Sequence, residues 1–238
     1  MTTAIQLSEP AAIENPDSDG LPMSDNTLQW ECIVTIKSGL ELQYRDDPSV
    51  FVAGDLLWYA EEGRPEVRTG PDVLVAFGRP KGYRGSYKQW EEGGIAPQVV
   101  FEVLSPGNRF GELLRKFRFY ESHGVEEYYL YDPYENEWNG WLRGEDGQLH
   151  EIELMAGWVS PRLKVRFETT AGDLELYHPN GRRFASYLEL AEQWERERKA
   201  REAAQQQADE AKQRADMEKE RADRLAAKLR ALGINPDE

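Results

Sequence analysis

Two acidic residues, Asp72 and Glu102, lie within apolar runs that have the composition of buried strands, PDVLVAF at 71–77 and QVVFEVLS at 98–105. Runs that are rich in valine and aromatic residues and bounded by proline and glycine predict buried strands. A carboxylate there loses its hydration at a cost of several kcal/mol unless it is paired or bound to a cation. A divalent metal held by both acids would balance them. The alternative is that each acid lies at a strand end and accepts hydrogen bonds from the backbone or an arginine.

A helix that carries a lysine is expected to follow Glu102 directly. The turn cluster SPGNR at 105–109 precedes a segment, 110–123, in which apolar residues recur at helical spacing. These residues are Phe110, Leu113, Leu114, Phe117 and Tyr120. Lys116 and Tyr120 are one turn apart and therefore share a face of this helix. By themselves they are typical of a solvated helix lysine and a core aromatic residue.

The elements around these residues predict an α-β-β-β-α-β core. A first helix has Ser24, Asp25 or Asn26 as its N-cap and ends before Pro48. Strands are expected near 51–59, 72–77 and 98–104, with a long loop at 78–97 before the last of them. Helix 110–123 and a strand at 127–132 complete the core. Shorter strands, expected to widen the sheet and shield one face, are predicted at 138–143, 150–154, 163–167 and 174–177.

The chain divides by composition into four parts. Residues 1–22 are polar and acidic and predict a disordered lead, and residues 23–185 form the folded domain. Residues 186–232 contain neither glycine nor proline and are rich in helix-forming residues, so they predict one long helix, with 233–238 as a tail. The apolar stripe of this helix is weak. A coiled-coil dimer is one interpretation and a frayed monomeric arm is the other.

Composition limits the classes of function. The 238 residues carry a formal net charge of -15, which argues against tight, nonspecific binding to nucleic acid. The basic residues between the two acid-bearing strands, which would form a local basic strip, are Arg79, Lys81, Arg84 and Lys88. The single Cys32 excludes an intrachain disulfide and fits a reducing compartment. No apolar run has the length of a membrane span and residues 1–22 do not resemble a signal peptide, so we expect a cytoplasmic protein.

The order of these motifs resembles that of a known family. The matching segments are PMSDN at 22–26, PDVLVAFGRPKG at 71–82, GSYKQWEEGG at 85–94, VVFEVLSPGNR at 99–109, LRKFRFYESHGVEEYYLYDP at 114–133 and KLRALGINPD at 228–237. The sequence is similar over nearly its whole length to the bacterial Uma family of endonuclease-like proteins, in the PD-(D/E)xK nuclease superfamily. The resemblance implies an α+β fold with the restriction-endonuclease-like core, extra antiparallel hairpins and a long C-terminal helix.

The resemblance also implies catalytic residues. Asp72 matches the aspartate of the PD motif, and Glu102 matches the acid of the (D/E)xK motif. Leu104 stands where that motif has its lysine, so the lysine must come from elsewhere. Lys116 matches the lysine that the family keeps on the following helix, and Tyr120 matches its partner aromatic residue.

A divalent ion is implied by the same resemblance. Mg²⁺, with Mn²⁺ as a substitute, would be held by Asp72, Glu102 and the main-chain carbonyl of Val103, since hard oxygen ligands suit such ions. Ser105 and Arg109 would contact phosphate, and the alternative is that they serve as helix cap and surface charge. Asp55, in the first expected strand, would support the metal, and the alternative is a solvated turn position. Glu31 on the first helix is a weaker candidate.

The function implied is Mg²⁺-dependent hydrolysis of phosphodiester bonds in DNA by an endonuclease. A dimer through the C-terminal helix would place two such sites side by side, which suits cutting both strands of a duplex. Two other classes are considered. One is a nuclease-derived binding or regulatory module that recruits partners through the C-terminal helix. The other is a scaffold built around that helix, which would leave the two buried acids unexplained.

Overall fold

The computed structural model describes residues 15–18, 20, 24–169 and 175–231, with the side chains of 229–231 excepted. The helices are α1 (Thr27–Gln43), α2 (Phe110–Ser122) and α3 (Tyr187–Ala231). The strands are β1 (Val50–Gly54), β2 (Trp58–Tyr59), β3 (Arg68–Thr69), β4 (Val73–Phe77), β5 (Tyr87–Lys88), β6 (Val99–Val103), β7 (Glu127–Asp132), β8 (Glu137–Arg143), β9 (Leu149–Glu151), β10 (Arg166–Glu168) and β11 (Glu175–Tyr177). Two compact units result, Met1–Ser186 and Tyr187–Glu238.

Helix α1 begins where the sequence provides a cap. Of the three residues considered, Asn26 is the N-cap, and its side-chain oxygen accepts a hydrogen bond of 3.0 Å from the backbone N–H of Gln29. Such a cap satisfies one of the unpaired amides of the first turn. Ile33, Ile36 and Leu40 then recur at helical spacing and are buried. The apolar stripe therefore fixes the face by which α1 packs on the sheet.

The main sheet has six strands in the order β1-β4-β6-β7-β8-β9. Neighbouring strands are antiparallel except β6 and β7, which are parallel. A parallel pair needs a crossover connection, and α2 supplies it. With α1 before β1, the core elements follow the expected α-β-β-β-α-β order, and the predicted fold class is confirmed. The β8 and β9 strands widen the sheet as expected.

The two faces of the sheet contact different helices. Alternate side chains of a strand point to opposite faces. Phe101 belongs to the cluster that contains Ile36 of α1, and Val100 belongs to the cluster that contains Tyr120 of α2. Even-numbered residues of β4 and β6 therefore face α2. The pairing Val73↔Phe101, continued by one residue, sets Asp72 opposite Glu102 on that face.

The first predicted strand is wrong in extent. Instead of one strand over 51–59, β1 ends at Gly54 and β2 begins at Trp58. Asp55 between them has φ 47°, a left-handed conformation that aspartate tolerates better than most residues. Strand β2 joins a separate sheet in the order β3-β2-β5. Its partner β5 comes from the segment 78–97, which was expected to be a loop throughout.

A small sheet covers the α1 side of the main sheet. Strands β10 and β11 pair antiparallel, and Phe167 of β10 is fully buried, with its ring 6.3 Å from that of Phe101. The predicted shielding of one face is thus present. The strand begins at Arg166 rather than at 163, because Lys164 adopts a turn conformation with φ 59°. Residue 174, where the last predicted strand was expected to begin, lies outside the described residues.

The second unit is the helix α3, whose 45 residues are charged and exposed along most of their length. Intrahelical ion pairs such as Arg198–Glu195 and Arg224–Glu220 follow its surface. No helix in the part of the chain described here has the length and apolar content required to cross a membrane. The tail 233–238 and most of the lead 1–22 fall outside that part, so the predicted disorder of the lead stays a prediction. Within the lead, Pro16 and Asp17 contact Tyr59 and Ser86.

Candidate active site

A cavity of about 800 Å³ opens beside the start of β4 and the α2 helix. Its walls come from the N-terminal segment, α1, β3 and α2, which are far apart in the sequence. The charged residues that line it are Asp17, Asp25, Asp55, Arg68, Asp72, Glu112, Arg115 and Lys116. Two of the three predicted catalytic residues, Asp72 and Lys116, therefore share one cavity.

Asp72 is a buried carboxyl group in a region of negative charge. Its side chain is 8% exposed, and its Oδ2 accepts a hydrogen bond of 2.6 Å from the backbone N–H of Val103. Burial raises the pKa of Asp72 well above its usual range, and the negative charge of Glu102 raises it further, against the opposing effect of Lys116. Both effects disfavour the charged carboxylate. A bound cation would remove this penalty.

Glu102 lies opposite Asp72 and is only 4% exposed. Its Oε2 accepts a hydrogen bond of 2.7 Å from Nζ of Lys116, and its Oε1 accepts one from the Tyr120 hydroxyl. The donors are one turn apart on α2, as the shared face of Lys116 and Tyr120 requires. The two donors fix the orientation of the carboxylate beside Asp72.

Lys116 is held as a cation. Its Nζ donates to the carbonyl oxygen of Gly70 at 3.0 Å as well as to Glu102. Burial lowers the pKa of Lys116, but the charges of Glu102 and Asp72 outweigh it, and the pKa lies above the usual lysine value. The ammonium group therefore remains protonated at neutral pH and partly balances the two acids.

Tyr120 supports Glu102 from within the core. The tyrosine is fully buried, and its ring stacks on Trp58 with a centroid distance of 6.3 Å. Burial raises the pKa of its hydroxyl well above the usual range, and the Glu102 charge acts in the same direction. The hydroxyl therefore keeps its proton and acts as a donor.

The donor set suits a hard divalent ion. Two carboxylates on adjacent strands and a main-chain carbonyl are oxygen ligands of the kind that Mg²⁺ and Mn²⁺ prefer. The Val103 carbonyl accepts a hydrogen bond of 2.8 Å from Nε2 of Gln29, and its second lone pair can still bind a metal. Within the described ranges there is no group of three or more acidic, histidine or cysteine side chains placed to hold a metal. The fit therefore depends on Asp72, Glu102 and this carbonyl.

The remaining predicted residues lie in different places. Asp55 is exposed and lines the cavity from the turn after β1. Ser105 is buried, and its hydroxyl donates to Asp25. Arg109 is the N-cap residue of α2, without a side-chain capping bond, and is exposed. Neither Ser105 nor Arg109 lines the cavity, and neither does Glu31 on α1.

Each cation of the expected basic strip has a partner within the domain. Arg84 and Arg79 form ion pairs with Glu92, and Lys88 pairs with Glu91. The ammonium group of Lys81 donates to the carbonyl oxygen of Tyr44. No residue of 78–97 lines the cavity. These cations serve instead to hold the segment that contains β5.

The polar residues of the site that the sequence reasoning missed include Gln29, Arg68 and Arg115. Gln29 of α1 is buried and bridges the Val103 carbonyl to the backbone N–H of Asp25. Arg68 of β3 and Arg115 of α2 line the cavity. The adjacency of Arg115 to Lys116 was a weak signal, because neighbouring helix residues are about 100° apart. Nothing in the sequence pattern pointed to Gln29 or Arg68.

Comparison with known proteins shows the family of this chain. Residues 33–171 match the family model described as "Uma2: Putative restriction endonuclease". That range contains Asp72, Glu102 and Lys116 and runs from α1 past the end of β10. No curated protein matches the chain.

One solved structure that matches part of the chain is described as a "putative nuclease belonging to DUF820 from Anabaena variabilis ATCC 29413". Its sequence is 14% identical, the match covers 57% of this chain and 72% of that chain, and the TM-score is 0.43. The family match itself extends over more than half of the present sequence. The chain belongs to the Uma2 family of restriction-endonuclease-related proteins.

Proposed function

We propose that this protein is a metal-dependent endonuclease that hydrolyses phosphodiester bonds in DNA. The observation that carries the proposal is the pairing of Asp72 and Glu102 across adjacent strands, with Nζ of Lys116 2.7 Å from Glu102. A buried like-charge pair with one lysine is costly unless a further cation joins it. Family membership supports a nuclease in the broad sense.

Asp72, Glu102 and the Val103 carbonyl would hold Mg²⁺, or Mn²⁺ as a substitute. Such an ion, when bound, lowers the pKa of water and stabilises negative charge on phosphate oxygens. Gln29 fixes the peptide that carries the Val103 carbonyl through its 2.8 Å hydrogen bond. The protein thus supplies oxygen ligands whose positions are set before any ion arrives.

The roles of Lys116 and Tyr120 follow from their protonation. Lys116 remains an ammonium group, so its part is to stabilise charge that develops on the phosphate rather than to accept a proton. Tyr120 donates to Glu102 and orients it. Ser105 and Arg109 lie outside the cavity walls, which favours their alternative roles in the turn and at the start of α2.

The direct test is cleavage of plasmid, single-stranded and branched DNA in Mg²⁺ or Mn²⁺. Asp72→Ala and Lys116→Ala should abolish cleavage. Glu31→Ala, which changes an exposed acid outside the cavity, should leave it intact. Cleavage by both site variants at the wild-type rate would overturn the assignment.

Metal binding can be tested apart from turnover. A ligand that binds only the folded state raises the melting temperature as its concentration increases. Mg²⁺ or Mn²⁺ should therefore stabilise the wild-type protein, and Asp72→Ala should remove this response. An equal response in the variant would place the ion elsewhere.

A second candidate function is a nuclease-derived binding or regulatory module that recruits partners through α3. The net charge of -15 and the internal pairing of Arg79 and Arg84 favour it, because both weaken attraction to DNA. Metal-dependent stabilisation without cleavage of any DNA substrate would select this function over the endonuclease.

We also propose that α3 forms a homodimer in a cytoplasmic protein. Apolar side chains of the weak stripe of α3, among them Leu188, Trp194 and Leu225, are exposed. A long helix with such a stripe gains stability when a second copy covers it. Sedimentation equilibrium should give a dimer for the full chain and a monomer for Leu225→Lys; a monomer in both would leave α3 as a single helix.

A further inference from the structure

We propose that Arg68 and Arg115 bind phosphate groups of the nucleic-acid strand on which the Asp72–Glu102 site acts. The inference rests on the proposed function and extends it to residues outside the metal site. Both arginines line the cavity that Asp72 and Lys116 line, one from β3 and the other from α2. The two guanidinium groups thus belong to different walls of one cavity.

The Arg68 guanidinium is oriented before a ligand binds. Its Nη1 donates to the Tyr59 hydroxyl at 3.1 Å, and the guanidinium carbon lies 5.7 Å from the centre of the Tyr59 ring. Tyr59 is fully buried, and its hydroxyl donates to the carbonyl of Pro16 at 2.6 Å. These two hydrogen bonds in series use one of the five N–H donors of the guanidinium. The others can bind an anion.

Arg115 is exposed on α2 next to Lys116. None of the ion pairs found among residues 15–18, 20, 24–169 and 175–231 involves either Arg115 or Arg68. This distinguishes them from Arg79 and Arg84, whose charges are balanced by Glu92. Cavity-lining arginines without a carboxylate partner are suited to an incoming anion.

Several cavity acids already have donors of their own. Asp72 accepts from the Val103 amide, Asp17 accepts from the Ser86 hydroxyl, and Asp25 accepts from the Ser105 hydroxyl. Hydrogen bonds of this kind hold each carboxylate in place. The arginines therefore keep donors available although acids outnumber bases in the cavity wall.

The ligand class follows from the donor geometry. A planar guanidinium binds two oxygens of a phosphodiester at once, whereas a lysine acts as a point charge. A strand that enters the cavity would thus be bound through its backbone, without regard to base sequence. A metal site beside two such arginines suits recognition of a phosphodiester backbone rather than of an isolated small anion.

Binding of a fluorescein-labelled single-stranded oligonucleotide in EDTA, followed by anisotropy over a salt series, tests the inference without metal or turnover. Arg68→Ala and Arg115→Ala should each weaken binding about tenfold and lower the slope of log K against log salt by about 0.7, the value for one lost phosphate contact on a single strand. Arg68→Lys should restore part of the affinity. The matched control is Arg118→Ala, which removes an exposed α2 arginine that does not line the cavity.

The outcomes separate this inference from the proposed function. Equal affinity in wild type and both arginine variants, or an equal loss in Arg118→Ala, overturns the inference and leaves the endonuclease proposal standing if cleavage is seen. Loss of binding in the two variants together with no cleavage in any metal supports the inference and overturns the endonuclease. Wild-type protein that binds no oligonucleotide at low salt overturns the inference alone, because the cleavage assays in Mg²⁺ or Mn²⁺ decide the proposed function. Melting curves establish that each variant is folded.

Discussion

Glu102 and Glu127 are two buried glutamates on neighbouring parallel strands, and their carboxylates have different surroundings. Glu102 faces α2, where Lys116 and a second acid, Asp72, lie close to it. Glu127 is 1% exposed and lies on the opposite face, in the same alternation as Tyr129. The position of each within the strand decides which helix, and therefore which chemistry, it meets.

The donors around Glu127 are neutral. The hydroxyls of Tyr129 and Ser160 donate to its Oε2, the first at 2.9 Å, and the backbone N–H of Arg162 donates to its Oε1 at 2.6 Å. Ser160 and Arg162 belong to the segment before β10, so the carboxylate ties this segment to β7. Burial nevertheless raises the pKa of Glu127. A buried carboxylate that satisfies three donors stabilises the fold, whereas the one that faces another acid is the one that we propose as a metal ligand.

The largest expected effect is on catalysis, from Glu102→Gln. The amide keeps the shape but loses the charge that a divalent ion requires, and cleavage should fall about a thousandfold. Stability should change little, because relief of the repulsion between Asp72 and Glu102 offsets the loss of the charge that is paired with Lys116. Cleavage rates together with urea unfolding curves would check both parts. A large loss of stability would show that Glu102, like Glu127, serves mainly to stabilise the fold.

Glu127→Ala should have the next largest effect, and it should be on stability. Two hydroxyls and a backbone N–H would lose their acceptor, which is expected to lower the free energy of unfolding by about 3 kcal/mol. The matched control is Glu126→Ala, which removes a partly exposed ion pair with Arg162 and should cost less than about 1 kcal/mol. Cleavage per folded molecule should be unchanged in both. Urea denaturation would measure the difference.

Asp72→Asn should raise the free energy of unfolding of the metal-free protein at neutral pH, because the amide avoids the penalty that burial and Glu102 impose on the charged carboxylate. The folded-state pKa of Asp72 is raised, so the folded state binds more protons than the unfolded state above pH 4. The contribution of Asp72 to stability is therefore full below the unfolded pKa and is lost as pH rises toward the folded pKa. Because asparagine does not titrate, the stability of the variant should decline less than that of the wild type as pH rises.

Melting temperatures of wild type and Asp72→Asn between pH 4 and 8 in EDTA would test the predicted direction of the pH dependence. Added Mg²⁺ should reverse the order of the two proteins, because only the wild type keeps both carboxylates. A variant less stable than wild type throughout the range in EDTA would show that Asp72 serves stability, as Glu127 does.

The smallest effect is expected from Tyr120→Phe. The change removes one hydroxyl donor to Glu102 and leaves the ring stacked on Trp58. Cleavage should fall about tenfold, and the free energy of unfolding should fall by about 1 kcal/mol. The position of Glu102 would then depend on Lys116 alone. Unchanged cleavage would mean that Lys116 suffices to orient the carboxylate.

Much of the fold could be predicted because the local signals agree. The valine-rich runs became β4 and β6, and the apolar spacing after Asn108 became α2, with bounds within a residue or two. The first strand was misjudged because apolar residues continue on both sides of Asp55, whose left-handed backbone breaks the strand. The spacing of apolar residues contains no information about the backbone conformation of one residue.

The partners of the basic residues between β4 and β6 could not be predicted, for another reason. Arg79 and Arg84 were interpreted as part of a basic strip because no acid lies between them in the sequence. In the folded chain, Glu92 forms ion pairs with both. Arg68 lies on a two-residue strand that has no periodicity to detect. Ion pairs and cavity walls depend on long-range approach, which a linear pattern does not encode.

The sequence by itself determined the order of the elements and the acids that the strands carry, because burial of alternating and helical apolar faces is a local, additive preference. Through its resemblance to a family, the sequence also predicted Asp72, Glu102 and Lys116 as the catalytic residues. Only the tertiary structure decided that Lys116 contacts Glu102, that Gln29 contacts the Val103 carbonyl, and that Arg68 and Arg115 share their cavity. Those contacts depend on strand register and on which face each helix covers, and both are set by packing over the whole domain.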